Sequence, residues 1–239
     1  MISQEVIQTL AAKYQTEAIH VLREYFQHVF LSYFYQQPEA GKIYFKGGTA
    51  LRILYQSPRF SEDLDFSSSL TNSKVIERAV ISTLAEIERE GIQTDIQESK
   101  QTTGGYLATV DFKTNGHKIS IRLEISFREG KKEGEVATVV SDFLPSYTLV
   151  HLAQAQLIDE KVHALLGRGK ARDFYDLYFI LRANLLPAEK RNIIPAALKA
   201  LQQSDVRFDR ELKQFLPKSH WLLIRDFSSA LEQEIKRFL

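Results

Sequence analysis

Two alternating segments around residues 106–127 constrain the fold of this chain more than any other feature. Apolar residues occupy every second position on both sides of Asn115-Gly116, a dipeptide typical of two-residue hairpin turns. They are Tyr106, Ala108, Val110 and Phe112 before the turn, and Ile119, Ile121, Leu123, Ile125 and Phe127 after it. With that turn, Thr114 pairs with His117 and the apolar residues of the two strands face each other. The sequence therefore predicts an antiparallel hairpin with one apolar face, which must be covered by a core.

Composition excludes several classes of protein. The chain has 239 residues, of which 44% are hydrophobic and none is cysteine, so disulfides and thiolate metal sites are excluded. Lys and Arg total 31 against 30 Asp and Glu, which argues against a broadly basic nucleic-acid-binding surface but allows a local basic patch. No apolar run is long enough to span a membrane, and the N-terminus lacks the pattern of a signal peptide. We therefore expect a soluble, cytoplasmic protein.

The periodicity along the chain predicts an α+β fold in which a mixed sheet with flanking helices precedes a helical domain. Residues 4–35 have helical spacing, "KIYF" and "DLDF" are short buried strands, and "GGTALRILYQ" between them is a helix. A further helix, capped by Asn72 or Ser73, ends at Gly91, "REGKKEGE" (128–135) is a charged loop, and the chain is helical from about residue 150. The predicted domains are residues 1–145 and 146–239.

Two acids at the second short strand are candidate metal ligands. Because alternate strand residues point to one face, Asp63 and Asp65 lie side by side while Leu64 and Phe66 face the core. Two adjacent carboxylates repel unless a cation lies between them, and oxygen ligands suit Mg²⁺ or Mn²⁺. Taken alone, the pair is more often an ordinary polar strand end.

A possible phosphate-binding turn precedes these acids. Gly47 and Gly48 let the backbone approach a ligand closely, and the helix that follows presents free N–H groups to phosphate. Lys46 and Thr49 add a charge and a hydroxyl. A lone Gly-Gly is usually a tight turn, but with Asp-x-Asp after the helix it predicts a nucleoside triphosphate site with metal ions.

The stretch "KGGTALRILYQSPRFSEDLDF" resembles the signature of DNA polymerase β-like nucleotidyltransferases, and "RFSEDLDF" is similar to the AbiEii/AbiGii-type toxins of type IV toxin–antitoxin and abortive-infection systems. The later stretch "EKVHALLGRGKARDFYDLYFIL" is similar to that family's late motif, a basic cluster that runs into Arg-Asp-x-x-Asp. The resemblance covers about residues 40–181. It implies a nucleotidyltransferase that uses Mg²⁺ or Mn²⁺ and an NTP, with RNA, the tRNA 3′ end foremost, as acceptor, and a cognate antitoxin as a possible partner.

Such enzymes add a third acid from a neighbouring strand, for which the resemblance and the polar face of the hairpin suggest Glu124. Asp111 on the same face is the competitor, and a surface ion pair with Arg122 is an equally good interpretation of Glu124.

The late motif carries bases that suit phosphate neutralisation, together with two acids. Asp173 and Asp176 share a helix face, and the glycines around Arg168 predict a turn between two helices. With the resemblance, this group binds the triphosphate; without it, it is a solvated helix pair with local ion pairs. The group is Lys161, Arg168, Lys170, Arg172, Asp173 and Asp176. Lys161 and Asp173 are candidate catalytic residues, and Lys170, Arg172 and Asp176 are candidate nucleotide-binding residues.

Other functions remain open at this point. One is a nucleotide- or RNA-binding module without turnover that a partner protein controls, and another is a nucleotidyltransferase acting on a protein hydroxyl or a small molecule.

Overall fold

The computed structural model describes residues 2–114, 116–128 and 130–239. Its seven strands form one mixed sheet in the order β3-β4-β5-β2-β1-β7-β6, in which β2/β5 and β1/β7 are parallel and the other neighbours antiparallel. The strands are β1 Ile43–Lys46, β2 Leu64–Ser68, β3 Gln93–Thr102, β4 Gly105–Thr114, β5 His117–Ser126, β6 Gly134–Val139 and β7 Tyr147–Leu152.

Ten α-helices are assigned within the described residues, together with short 3₁₀ turns at 38–42, 188–193, 213–215 and 218–220. The helices are α1 Gln4–Lys13, α2 Ala18–Phe34, α3 Gly47–Tyr55, α4 Ser73–Arg89, α5 Gln154–Arg168, α6 Ala171–Arg182, α7 Ile194–Gln202, α8 Phe208–Leu212, α9 Trp221–Arg225 and α10 Phe227–Lys236. The fold is therefore α+β, as the sequence predicts.

The predicted hairpin register is confirmed. Thr114 pairs with His117, Val110 with Ile121, and Ala108 with Leu123 across β4 and β5. The predicted turn residue Asn115 lies outside the described residues, and Gly116 has the positive φ of 78° that a primed hairpin turn requires.

The apolar face of the sheet is covered by α2 and α4. Phe26 of α2 stacks on Phe112 of β4 with ring centroids 5.2 Å apart, and Phe34 lies 5.5 Å from Phe66 of β2. Burial of each such ring stabilises the fold by roughly 1.5–3 kcal/mol. Because side chains alternate along a strand, residues next to Phe66 point to the opposite face. Asp65 therefore lies on the face away from α2.

Several predicted boundaries need correction. Residues 4–35 form two helices because the chain turns at Gln15, whose φ is +52°. The helical part begins at Gln154 because Tyr147–Leu152 is a strand that pairs with β1 and β6. The predicted charged loop ends early, since β6 begins at Gly134. The α4 cap is confirmed as Asn72, whose side-chain oxygen accepts from the Lys74 N–H at 3.0 Å.

The chain divides into two compact units. The first contains residues 1–56 and 60–153, and the second contains residues 57–59 and 154–239. The short segment 57–59, which lies in the loop between α3 and β2, is thus part of the second unit. The proposed domain boundary between residues 145 and 146 stays a prediction.

Candidate active site

Gly47 packs against the carboxylate of Asp65. Gly47 follows β1 directly, begins α3 and has a φ of +85°, a conformation that other residues rarely adopt. A Cβ at this position would lie 2.2 Å from Oδ2 of Asp65. The first turn of α3 and the carboxylate are therefore in contact, and only glycine permits that approach.

Three neighbouring strands place charged residues in one row. Lys46 on β1 is the register partner of Asp65 on β2, and Asp65 is in turn the partner of Glu124 on β5. Neighbouring strands lie about 4.8 Å apart. The row therefore brings the predicted third acid beside Asp65, and its other end lies at the predicted phosphate-binding turn.

Asp63 lies immediately before β2, since the strand begins at Leu64. Burial, together with the negative charges of Asp65 and Glu124, raises the pKa of Asp63 from 3.8 to about 6. The charges of the other two carboxylates therefore act on Asp63. Such repulsion is what a bound cation would relieve.

The donor chemistry of these acids fits a hard divalent cation, because Mg²⁺ and Mn²⁺ prefer carboxylate oxygens. Among the described residues, no three acidic or histidine side chains already converge on one point at metal-binding distance. Glu124 is exposed and forms an ion pair with Arg122 at 2.8 Å. The surface ion pair that was the alternative interpretation of Glu124 is therefore present. Asp63, Asp65 and Glu124 thus supply the ligand types at adjacent positions, and Glu124 would exchange Arg122 for the cation.

Asp111 lies apart from this row. Its register partner is Ser120, four residues before Glu124 on β5, which corresponds to roughly 13 Å along the strand. Burial tends to raise the pKa of Asp111, but the ion pair with Lys118, at 2.7 Å, and a hydrogen bond from Ser120 outweigh it and lower that pKa. The geometry favours Glu124 over Asp111 as the third acid.

Thr49 is used within the protein. Its side chain is buried, and its hydroxyl donates to the main-chain oxygen of Asp63. The hydroxyl proton therefore forms a hydrogen bond that holds the Asp63 backbone in place. Contacts from this turn to a phosphate would come from main-chain N–H groups of Gly47 and Gly48 and from Lys46.

The late motif forms the predicted turn between two helices of the second unit. α5 ends at Arg168, Gly169 has a φ of +54°, and α6 begins at Ala171. Asp173, which is 1% exposed, accepts two bonds from Arg168, at 2.9 and 2.7 Å, and one from the Lys170 N–H at 3.1 Å. Asp173 therefore fixes the turn, and its carboxylate is enclosed by protein.

Asp176 is the centre of a buried ionic triad. It is 1% exposed and accepts from Arg59 at 2.8 and 3.0 Å and from Lys161 at 2.8 Å. Burial opposes its charge, but the two cations outweigh burial and lower the pKa of Asp176 to about 2. In the structure, Asp176 and Lys161 bind each other. Lys170 and Arg172 are exposed, and neither forms an ion pair with a described residue.

Arg59, which lies in the loop between α3 and β2, is not among the candidate residues predicted from the sequence. It is 4% exposed although it lies between a helix and a strand. A loop arginine four residues before an Asp-x-Asp pair is a weak signal, and its partner Asp176 lies 117 positions away. Nothing local in the sequence identifies that pair.

The mixed sheet, with a Gly-Gly helix start against an Asp-x-Asp segment, is a fold that solved structures share. The solved structure of JHP933 from Helicobacter pylori is similar, with a TM-score of 0.66, 20% identity and coverage of 93% of each chain. A putative nucleotidyltransferase from H. pylori is similar over 89% of this chain and 94% of its own, with a TM-score of 0.50 and 21% identity. At these identities the likeness shows the fold alone.

The family model for "Nucleotidyl transferase AbiEii toxin, Type IV TA system" matches residues 29–239. The chain therefore belongs to the AbiEii nucleotidyltransferase toxin family, and the resemblance inferred from the motifs is confirmed. It is a nucleotidyltransferase of the type associated with toxin–antitoxin systems. No curated protein sequence matches it significantly. None of the described helices is both long and apolar enough to cross a membrane.

Proposed function

We propose that the chain transfers a nucleoside monophosphate from an NTP to the hydroxyl of an RNA acceptor, with the tRNA 3′ end foremost. The observation that carries this proposal is the position of Asp65, which lies between Gly47 at the helix start and Glu124 on the next strand. This arrangement supports phosphate binding and carboxylate ligation at neighbouring points.

In this proposal Asp63, Asp65 and Glu124 hold Mg²⁺ or Mn²⁺, and the N–H groups of Gly47 and Gly48 bind phosphate. A bound divalent cation would neutralise the triphosphate and bring it to the acceptor. The acceptor oxygen forms a bond to the α-phosphorus, the α–β bridging bond breaks, and pyrophosphate leaves. A carboxylate of the group, with Glu124 as the candidate, takes the hydroxyl proton.

The charged residues of the late motif have two proposed roles. Lys170 and Arg172, which are exposed on the surface of the second unit, are proposed from the family resemblance as nucleotide-binding residues. Lys161, Asp173 and Asp176, proposed from the sequence as catalytic or nucleotide-binding residues, support that surface through the buried ion pairs that they form. Thr49 is proposed to position Asp63 through the hydrogen bond from its hydroxyl to the Asp63 main-chain oxygen.

Each α-labelled NTP, incubated with Mg²⁺ or Mn²⁺ and total RNA, tests the proposal. We expect label in RNA with the wild-type chain and none with Asp63→Ala. Asp205→Ala removes an exposed acid from the second unit and is the matched control, which should retain transfer. Equal transfer by Asp63→Ala would contradict the metal assignment. Label in protein or in a small molecule, with none in RNA, would contradict the RNA acceptor and favour those alternatives.

A cognate antitoxin is proposed as a partner from the family's association with type IV systems. Expression of the chain should arrest growth, and Asp63→Ala should abolish the arrest. Co-expression of the neighbouring gene should relieve it. Growth arrest that persists in Asp63→Ala would separate toxicity from nucleotidyl transfer and contradict this part of the proposal.

A further inference from the structure

The segment from Phe60 to Asp63, which leads into the candidate metal ligands, forms neither helix nor strand. Hydrogen bonds to its main-chain carbonyl groups therefore come from outside a helix or a sheet ladder, and a buried polar group left without such a bond costs about 1–3 kcal/mol. Three consecutive carbonyls of this segment, at 61, 62 and 63, accept hydrogen bonds from side chains on helices.

Gln27 of α2 supplies two of these bonds. Its Nε2 donates to the main-chain oxygen of Ser61 at 3.0 Å and to that of Glu62 at 3.1 Å. Gln27 is 1% exposed, so it holds both bonds where water does not compete. One carboxamide thus fixes two successive peptide groups just before Asp63.

The residues beside Gln27 hold the start of the same segment. Glu24, one turn earlier on α2, is buried and accepts from Nε of Arg52 at 2.8 Å. The Arg52 guanidinium lies 3.5 Å from the ring centroid of Phe60. One face of α2 therefore anchors the segment directly through Gln27 and indirectly through Arg52 and Phe60.

We propose that Gln27 is a positioning residue that holds the Ser61–Glu62 backbone so that Asp63 stays beside Asp65 and ready for a cation. Mutual repulsion of the two carboxylates favours their separation, and Asp63 lies at the end of a segment without secondary structure. The bonds from Gln27 and Thr49 oppose that separation. The inference rests on the proposed function, because it assigns Gln27 a role toward the same metal ligands.

Gln27→Met tests the inference because it keeps most of the side-chain volume and removes both donors. We expect faster amide hydrogen exchange in residues 60–64 and a rise of about 10-fold in the Mn²⁺ concentration that half-saturates binding, since loss of such supporting partners costs about 10–100-fold in metal affinity. Loss of nucleotidyl transfer in this variant should arise mainly from weaker metal binding, so that transfer is partly restored at saturating Mn²⁺. Gln27→Asn, which keeps the amide one methylene short, should fall between wild type and Gln27→Met.

Gln36→Met is the matched control. Gln36 also donates to a main-chain oxygen, that of Ser32 at 2.9 Å, but it is exposed and does not contact the segment. Wild-type exchange in residues 60–64 and wild-type Mn²⁺ binding in a folded Gln27→Met variant would overturn the inference. If Gln27→Met is not folded by circular dichroism, the same two readouts in Gln27→Asn decide. If wild type binds no Mn²⁺ at all, the proposed function fails, whereas the exchange readout still tests the anchoring separately.

Discussion

Gly47 and Asp65 are in contact at the start of α3, where a Cβ on residue 47 would lie 2.2 Å from the Asp65 carboxylate oxygen. This contact places the predicted phosphate-binding turn against a candidate metal ligand. It explains why glycine stands at this position even before any ligand is bound.

Gly47→Ala should therefore damage both the fold locally and the activity. A positive φ costs a non-glycine residue about 1–2 kcal/mol, and overpacking adds about 1–3 kcal/mol. We expect a lower free energy of unfolding in urea and loss of nucleotidyl transfer. Gly41→Ala is the control, because no atom lies within 4 Å of its Cβ position and its φ is not positive. Wild-type stability and transfer in Gly47→Ala would show that the contact is not required.

Substitutions of Glu124 and Arg122 distinguish a metal-ligand role of Glu124 from a surface ion pair. Both Glu124→Gln and Arg122→Gln break the same exposed 2.8 Å pair, whose loss should change stability by less than about 1 kcal/mol. We expect transfer to fall more than about 10-fold only in Glu124→Gln, because it alone removes a proposed ligand. Steady-state kinetics at varied Mg²⁺ measure this, and an equal small effect in both variants would favour the ion pair.

Asp176 should stabilise the second unit in a pH-dependent way. Its pKa of about 2 lies below the ordinary 3.8, so the unfolded chain binds more protons between these values. Its stabilising contribution, about 2 kcal/mol, is present above about pH 4 and is lost as the pH falls toward 2. At neutral pH, Asp176→Asn leaves two cations without their carboxylate and should cost about 3–5 kcal/mol.

Urea denaturation of wild type and Asp176→Asn at several pH values measures this dependence. The difference between the two proteins should shrink as the pH falls from about 4 to 2. Asp159→Asn is the control, because its 2.8 Å pair with Lys190 is much more exposed and should contribute at most about 1 kcal/mol. A difference that stays constant over this range would contradict the assigned pKa.

The β4–β5 hairpin and the two motif strands could be predicted because their information is local. A period of two and a turn dipeptide set the whole register from Thr114 and His117 onward. The strand β3 was missed because "QTDIQESKQT" is an exposed edge with few apolar residues, and β7 because its six residues precede a long helical run. The break at Gln15 was missed because apolar spacing continues across it.

The candidate acids could be recognised from the sequence, but two buried residues that bind distant parts of the chain could not. Asp63, Asp65 and Glu124 stand in recognisable local patterns, whereas Arg59 and Gln27 have partners far along the chain. A glutamine in an amphipathic helix and an arginine in a loop usually face solvent. Only the three-dimensional contacts show that both are buried.

Mn²⁺ binding in the presence of a non-hydrolysable NTP analogue tests the central claim most directly. Electron paramagnetic resonance would follow the loss of free Mn²⁺ as wild type, Asp65→Asn and the surface control Asp205→Asn are added. Saturable, analogue-dependent binding by wild type and by the control, with none by Asp65→Asn, is the result expected if Asp65 holds the cation beside the phosphate-binding turn. Undiminished binding by Asp65→Asn would contradict it.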